Sequence, residues 1–289
     1  MDELRRSLGA GETAGRRYAL ALPARAPQGP AGAALGRRAG SSLEFQEYRG
    51  YEPGDDLRHI DWNAYARTDQ LAVKLFREEL SPHADVAVDG SRSMALAGSA
   101  KAAATAGLAA FFAAAADTAG CTHAAWLLAD DLRPLGRRSS PPAEWAGLDF
   151  EFPGSPDAAL ALAPGLWRPR GFRILVSDLL WPGDPAAVVR RLADRAAVTV
   201  VVQLLAEADA NPAPGGSLRL VDSETGRERE LRVDAAAVRR YRAKLARHQE
   251  AWHDACRQAG AVFTTVIAED LVRNWRLDAL VAAEVLRVV

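Results

Sequence analysis

Apolar residues come in short, dense runs along this chain: Val86-Ala87-Val88, His123 to Ala129, Phe172 to Val176, Ala197 to Leu205 and Ala261 to Ile267. Each is too short for a typical helix and apolar at consecutive rather than alternate positions, the pattern of strands covered on both faces. Longer segments of helical character separate them. Ala100 to Ala116 has the length and the Ala/Leu/Phe content of a buried helix, and Ala158 to Ala163 opens another. Asp184-Pro185 caps and starts a helix running to about Ala196, and Asp234 caps a long one ending near Gly260. A C-terminal helix is expected after Ile267. Asp131 to Leu135 reads as an antiparallel return, and Leu218 to Val221 with Arg229 to Val233 as a hairpin turning through Asp222-Ser223-Glu224-Thr225-Gly226. Strands alternating with helices predict an α/β fold with a doubly wound, mostly parallel, Rossmann-like sheet over residues 84–289.

The first 83 residues lack that rhythm. Residues 1–42 are rich in Gly, Ala, Arg and Pro and read as a poorly ordered arm or linker, with one short strand within Arg16 to Pro23 and a loop from Ala26 to Gly40. Gly9-Ala10-Gly11-Glu12-Thr13-Ala14 has the spacing of a dinucleotide fingerprint but follows no strand, so it is set aside. Residues 43–83 interleave charges with aromatic side chains. Pro53-Gly54-Asp55 is a turn, Asp56 is placed to cap a short helical turn leading to Trp62, and Leu71 to Glu79 reads as a strand. Arg49, Arg58 and Arg67 are expected to pair with Asp55, Asp56 and Asp61 while Tyr48, Tyr51 and Trp62 supply packing. Such a segment serves either as a charged network packed on the main domain or as a recognition surface.

Composition narrows the class. Hydrophobic content of 49% with 25% charged residues is that of a soluble globular protein, and a net charge of -1 argues against general affinity for nucleic acid or anionic membranes. Cys121 and Cys256 form no disulfide framework and no zinc spacing, which points to buried thiols in a reducing cytoplasm. No apolar segment reaches the roughly 20 residues of a membrane span, and no signal peptide is expected. Chemistry concentrates where two apolar runs end in aspartate. Asp89-x-Ser91-x-Ser93 follows the first and Asp178 the third. Such oxygens suit Mg²⁺ or Mn²⁺, and both carboxylates can reach one ion if the strands are neighbours. The same residue types also serve as ordinary helix caps and turn formers. Ser91 sits in no Gly-x-Ser-x-Gly elbow, and no phosphate-binding Gly-x-x-x-x-Gly-Lys loop occurs. His59 and His83 are expected in structural roles, His248 and His253 at the surface, and Trp167 and Trp181 in core packing.

Glu44-Phe45, Arg49-x-Tyr51, Pro53-Gly54-Asp55-Asp56-x-Arg58-x-Ile60-Asp61-Trp62, Ala66-Arg67, Val73-Lys74 and Asp89-x-Ser91-x-Ser93-Met94 together resemble the signature of bacterial proteins grouped as domain of unknown function 58. The resemblance implies a von Willebrand factor A-like domain behind a loop-rich N-terminal extension containing short strands. It also implies partnership with MoxR-type AAA+ ATPases. Many relatives carry membrane helices ahead of the signature; none is expected here. Metal sites of von Willebrand factor A domains join Asp-x-Ser-x-Ser to a threonine and an aspartate from two further loops. Asp89, Ser91, Ser93 and Asp178 match, and Ser155 in Gly154-Ser155-Pro156 stands where threonine is usual. The resulting expectation is a non-enzymatic cytoplasmic adaptor or co-chaperone whose Mg²⁺ or Mn²⁺ edge receives an acidic side chain of the ATPase or a client protein. The alternatives are a Mg²⁺-dependent hydrolase of phosphate esters, which lacks an evident general base, and a structural subunit with an empty site.

Overall fold

The computed structural model describes residues 2–21, 43–51, 60–78, 82–162 and 165–289. The expected loop from Ala26 to Gly40, and Pro53 to His59 with their turn and charge pairs, lie outside them. Two compact units result, one formed by Met1–Ala24 with Pro82–Val289 and the other by Arg25–Ser81.

The larger unit is built on six strands: β4 (His83–Asp89), β5 (Thr122–Leu128), β6 (Leu132–Pro134), β7 (Phe172–Ser177), β8 (Val198–Leu205) and β11 (Val262–Ile267). Their spatial order is β11-β8-β7-β4-β5-β6, parallel throughout except for β6, which returns antiparallel along β5. Alternation along each strand feeds two cores. Val86, Val88, Ile174, Val176, Val200 and Val202 face one side, and Ala87, Leu175 and Val201 the other. The first side is covered by α3 (Lys101–Thr118), α8 (Ala268–Asn274) and α9 (Asp278–Ala282). The second is covered by α4 (Asp157–Leu162), α5 (Pro185–Ala193) and α7 (Ala235–Gln258). The predicted α/β sheet is therefore present, with Asp184 and Asp234 capping α5 and α7 as expected. A short α6 (Glu207–Ala210) and a hairpin of β9 (Gly216–Val221) and β10 (Glu228–Val233) lie between β8 and α7.

The N-terminus departs from expectation. Residues 2–15 form a helix, α1 (Asp2–Gly15), and Tyr18–Leu20 form β1, paired with β12 (Leu286–Val288). α1 lies on α3, burying Leu8 and Ala14 in the first core. Its glycines make this possible. A Cβ on Gly11 would collide with the Gly107 backbone and one on Gly15 with Phe111, while Gly107 is itself pressed against Trp275. The Gly-rich sequence that resembled a disordered arm is a close helix contact. α3 thus lies between the sheet and α1, and a helix covered on both sides has no polar face to display.

In the smaller unit β2 (Leu43–Gly50) pairs antiparallel with β3 (Ala72–Glu78), with a bulge at Phe45/Glu47, and α2 (Trp62–Thr68) lies between them in sequence. The helix cap is Asp61, whose carboxylate accepts the Asn63 and Ala64 N–H groups at 2.9 and 3.1 Å. Trp62 does not pack as expected: it is 60% exposed, with Tyr65 edge-on to it at 6.3 Å. Among the described residues no helix is long and apolar enough to cross a membrane.

Candidate functional site

The order of the parallel strands reverses at β4. The chain moves from β4 outward to β5, then returns to place β7 on the other flank of β4 and continues to β8 and β11. At such a switch point the loops leaving two neighbouring strands diverge, opening a crevice at their carboxyl ends. Asp89 ends β4 and Asp178 follows β7, so the condition of neighbouring strands is met.

Asp89 is fully buried. Its Oδ1 accepts the Ser91 N–H at 2.9 Å and its Oδ2 the Ser177 hydroxyl at 2.6 Å. This turn carries Ser91 and Ser93 into a short 3-10 helix, Arg92–Ala95, with their hydroxyls 3.1 Å apart. Burial first, and then the charge of Asp178, push the Asp89 carboxyl up to about 6 against the pull of the Ser177 and Ser91 hydrogen bonds.

Asp178 is held harder. Its Oδ1 accepts Leu180 N–H at 2.9 Å and its backbone carbonyl the Gln203 amide at 3.1 Å. Leu179, buried, sits at φ 60°, a left-handed conformation that a leucine adopts only when its surroundings impose it. The Ser177 hydroxyl accepts its N–H at 2.9 Å, and His248 Nε2 lies 2.7 Å from its carbonyl and 3.1 Å from the indole nitrogen of Trp252. His248 is therefore half-buried and structural, not a free surface group.

The strongest partner of Asp178 is Lys101, the first residue of α3. Its Nζ lies 2.6 Å from Asp178 Oδ2 and 3.3 Å from Asp209 Oδ2, with the ammonium wholly buried. Asp209 in turn accepts the Ala206 N–H at 3.1 Å, fixing α6. Glu269 of α8 binds the Ala100 and Glu207 N–H groups, clamping the starts of α3 and α6.

Ser155 is only half delivered. Its loop is drawn to the edge, since Phe152 bridges Ser91 and accepts the Arg92 N–H at 3.1 Å. The Ser155 hydroxyl, however, accepts the Asp157 N–H at 3.4 Å and serves as a cap for α4.

Do these residues fit a divalent cation? Asp89, Asp178, Ser91 and Ser93 offer only hard oxygens, and each carboxylate oxygen has accepted one hydrogen bond of the two it can take. Asp89, Asp178 and Asp209 carry more negative charge than Lys101 neutralises, which a divalent ion would balance. Among the described residues no group of three or more His, Cys, Asp or Glu is arranged to hold a metal. Two carboxylates completed by hydroxyls is a different donor set, and it fits.

The family described as protein of unknown function DUF58 matches residues 47–251. The chain belongs to the DUF58 family. No curated protein matches it in sequence. Similar solved structures include the conserved hypothetical protein BatB from Bacteroides thetaiotaomicron, at 12% identity over 66% of this chain and 96% of that one, with a TM-score of 0.34. Another is an aerotolerance-related membrane protein from Bacteroides fragilis, with multiple mutations to serines, at 14% identity over 66% and 95%, with a TM-score of 0.39.

Three participants in the site of this DUF58 chain are hard to find from sequence. Ser177 precedes Asp178 and has no spacing that ties it to Asp89. Lys101 looks like the polar end of an apolar helix; a lone charge heading a run with no other before Asp117 is the only signal. Glu224 sits in a hairpin turn, yet its Oε1 accepts the Ser93 N–H at 2.9 Å. Among the described residues His83 bonds Thr122 and Asp85, Trp167 packs under Arg173, and both cysteines are buried free thiols, as expected.

Proposed function

We propose that this chain is a metal-dependent, non-enzymatic protein-binding module with a von Willebrand factor A-like main domain, acting as a cytoplasmic adaptor for a MoxR-type AAA+ ATPase. The observation that carries this reading is the convergence of Asp89, Ser91 and Ser93 with Asp178 at the carboxyl ends of the neighbouring strands β4 and β7. Asp89, Ser91 and Ser93 would hold Mg²⁺ or Mn²⁺. Asp178, already committed to Lys101, adds charge behind them, and Ser155 stands at the margin. The ion supplies an open coordination position for an acidic side chain of the ATPase or a client. The ATPase itself is suggested by the family resemblance. An adaptor role is favoured over hydrolysis because the Ser91 hydroxyl is paired with Ser93, and Nε2 of the half-buried His248 is engaged by the Leu179 carbonyl and the Trp252 indole.

Calorimetry tests the ion: one weak Mg²⁺ or Mn²⁺ site per chain is expected, lost in Asp89→Ala and in the double variant Ser91→Ala/Ser93→Ala. Equal binding by the parent and these variants defeats the assignment. Asp178→Ala is a poor probe, since it strands the buried Lys101. Retention of a MoxR-type ATPase on the immobilised chain should fall in the same variants. Turnover of phosphate esters without any metal-linked affinity for such an ATPase would replace the adaptor with the hydrolase.

A further inference from the structure

The β9–β10 hairpin is an anomalous element. Every residue of β9 is exposed, and Val233 alone in β10 is partly covered. A two-stranded hairpin without a buried face is marginal by itself. Its base spans a cavity of about 310 Å³ lined by Leu218, Leu220, Leu231 and Val233 and by Val238 and Tyr241 of α7. What the hairpin does possess is a fixed tip. Asp222 Oδ1 accepts the Glu224 N–H at 3.1 Å and the Thr225 N–H at 2.7 Å, and Gly226 closes the turn at φ 69°.

That tip reaches the candidate site. Glu224 Oε1 accepts the Ser93 N–H at 2.9 Å, and Arg92 Nη1 donates to the Glu224 carbonyl at 3.3 Å. The second carboxylate oxygen, Oε2, is buried and has no hydrogen-bond partner among the described residues. Burying an ionised oxygen without a partner is costly. The neighbouring Arg92 binds the backbone carbonyls of Glu151 and Glu224, and the buried Lys101 is taken by Asp178 and Asp209. A divalent ion beside Ser91 and Ser93 would give Oε2 a partner.

We propose that Glu224 is a cation ligand supplied by the chain itself, and that the β9–β10 hairpin is the arm that delivers it to the edge formed by Asp89, Ser91 and Ser93. The inference rests on the cation reading above and adds its regulation: the position open to an acidic partner is closed by an internal carboxylate until the hairpin lifts. The weak hold of the hairpin elsewhere makes lifting feasible.

The test uses the full chain with Mg²⁺, and EDTA to remove it. Calorimetry reads cation affinity, and hydrogen–deuterium exchange reads peptides spanning residues 90–96 and 216–233. In the parent, Mg²⁺ should slow exchange at the tip about tenfold. Glu224→Gln keeps an acceptor for Ser93 but removes the charge. It should bind Mg²⁺ about tenfold more weakly, and saturating Mg²⁺ should no longer slow the tip. Glu228→Gln, also on the hairpin, should behave as the parent. If the parent binds Mg²⁺ and Glu224→Gln matches it in affinity and protection, Glu224 is no ligand while the cation site stands. Glu224 is likewise no ligand if Glu228→Gln reproduces the loss, since general charge then explains it. If the parent binds no cation at all, both readings fall together.

Discussion

Asp89 and Lys101 show how individual side chains set the electrostatics of the site. The Asp89 carboxyl, raised by burial and by Asp178 from 3.8 to about 6, holds its proton in the folded state over a range where the unfolded chain has released it. Its contribution is therefore favourable below about pH 4 and is lost as pH rises through 6. In EDTA, the stability of Asp89→Asn relative to the parent should rise between those pH values, measured by denaturant unfolding. A flat difference would mean that neither burial nor Asp178 raises the Asp89 carboxyl. Lys101→Met removes the ammonium and leaves Asp178 buried and unpaired, so unfolding free energy in EDTA should fall by about 3 to 5 kcal/mol. Saturating Mg²⁺ should restore more stability to this variant than it adds to the parent. Neither effect can be read from spacing along the chain, because Lys101 and Asp178 are brought together only by α3 crossing the end of β7.

Among the elements, those whose identity depends on their own residues were legible. β4, β7 and β8 are apolar runs covered on both faces, and α5 and α7 carry their own aspartate caps, so local physics determines them. α1 was not, because its three glycines disfavour a helix in isolation, and two of them, Gly11 and Gly15, become useful only against Gly107 and Phe111 of α3. Gly11→Val should destabilise the larger unit by at least about 1 to 3 kcal/mol in thermal or denaturant unfolding and expose the N-terminal segment to protease. Gly9→Val, where nothing lies within 4 Å of an added Cβ, is the matched control and should cost little. Equal losses in both would show that helix propensity, not close approach, governs the segment. At the site, Asp89, Ser91, Ser93 and Asp178 could be located because each lies near a strand end. Ser155 is the less legible position for the converse reason: its loop follows no strand, and its hydroxyl accepts the Asp157 N–H.

For the molecule as a whole, sheet order decides where chemistry can occur, and the hairpin decides who reaches it. Alternation of strands and helices foretold a parallel sheet but not that β7 would return beside β4, the step that brings Asp178 to Asp89. If the hairpin guards the edge, Glu224→Ala should raise retention of a MoxR-type ATPase in Mg²⁺ above that of the parent, while Asp89→Ala lowers it. A fall in both would make Glu224 part of the docking surface instead. The pairing of β1 with β12 has a different kind of consequence. Tyr18, Ala19 and Leu20 are buried near the start of the chain, and their hydrogen-bonding partners, Leu286 to Val288, form the last element in chain order. During vectorial synthesis β1 emerges early and must wait, its edge unpaired, until β12 has left the ribosome. The larger unit can therefore assemble its six-stranded sheet during translation, but the β1–β12 pair closes only once β12 has emerged, and until then the edge of β1 is left unpaired.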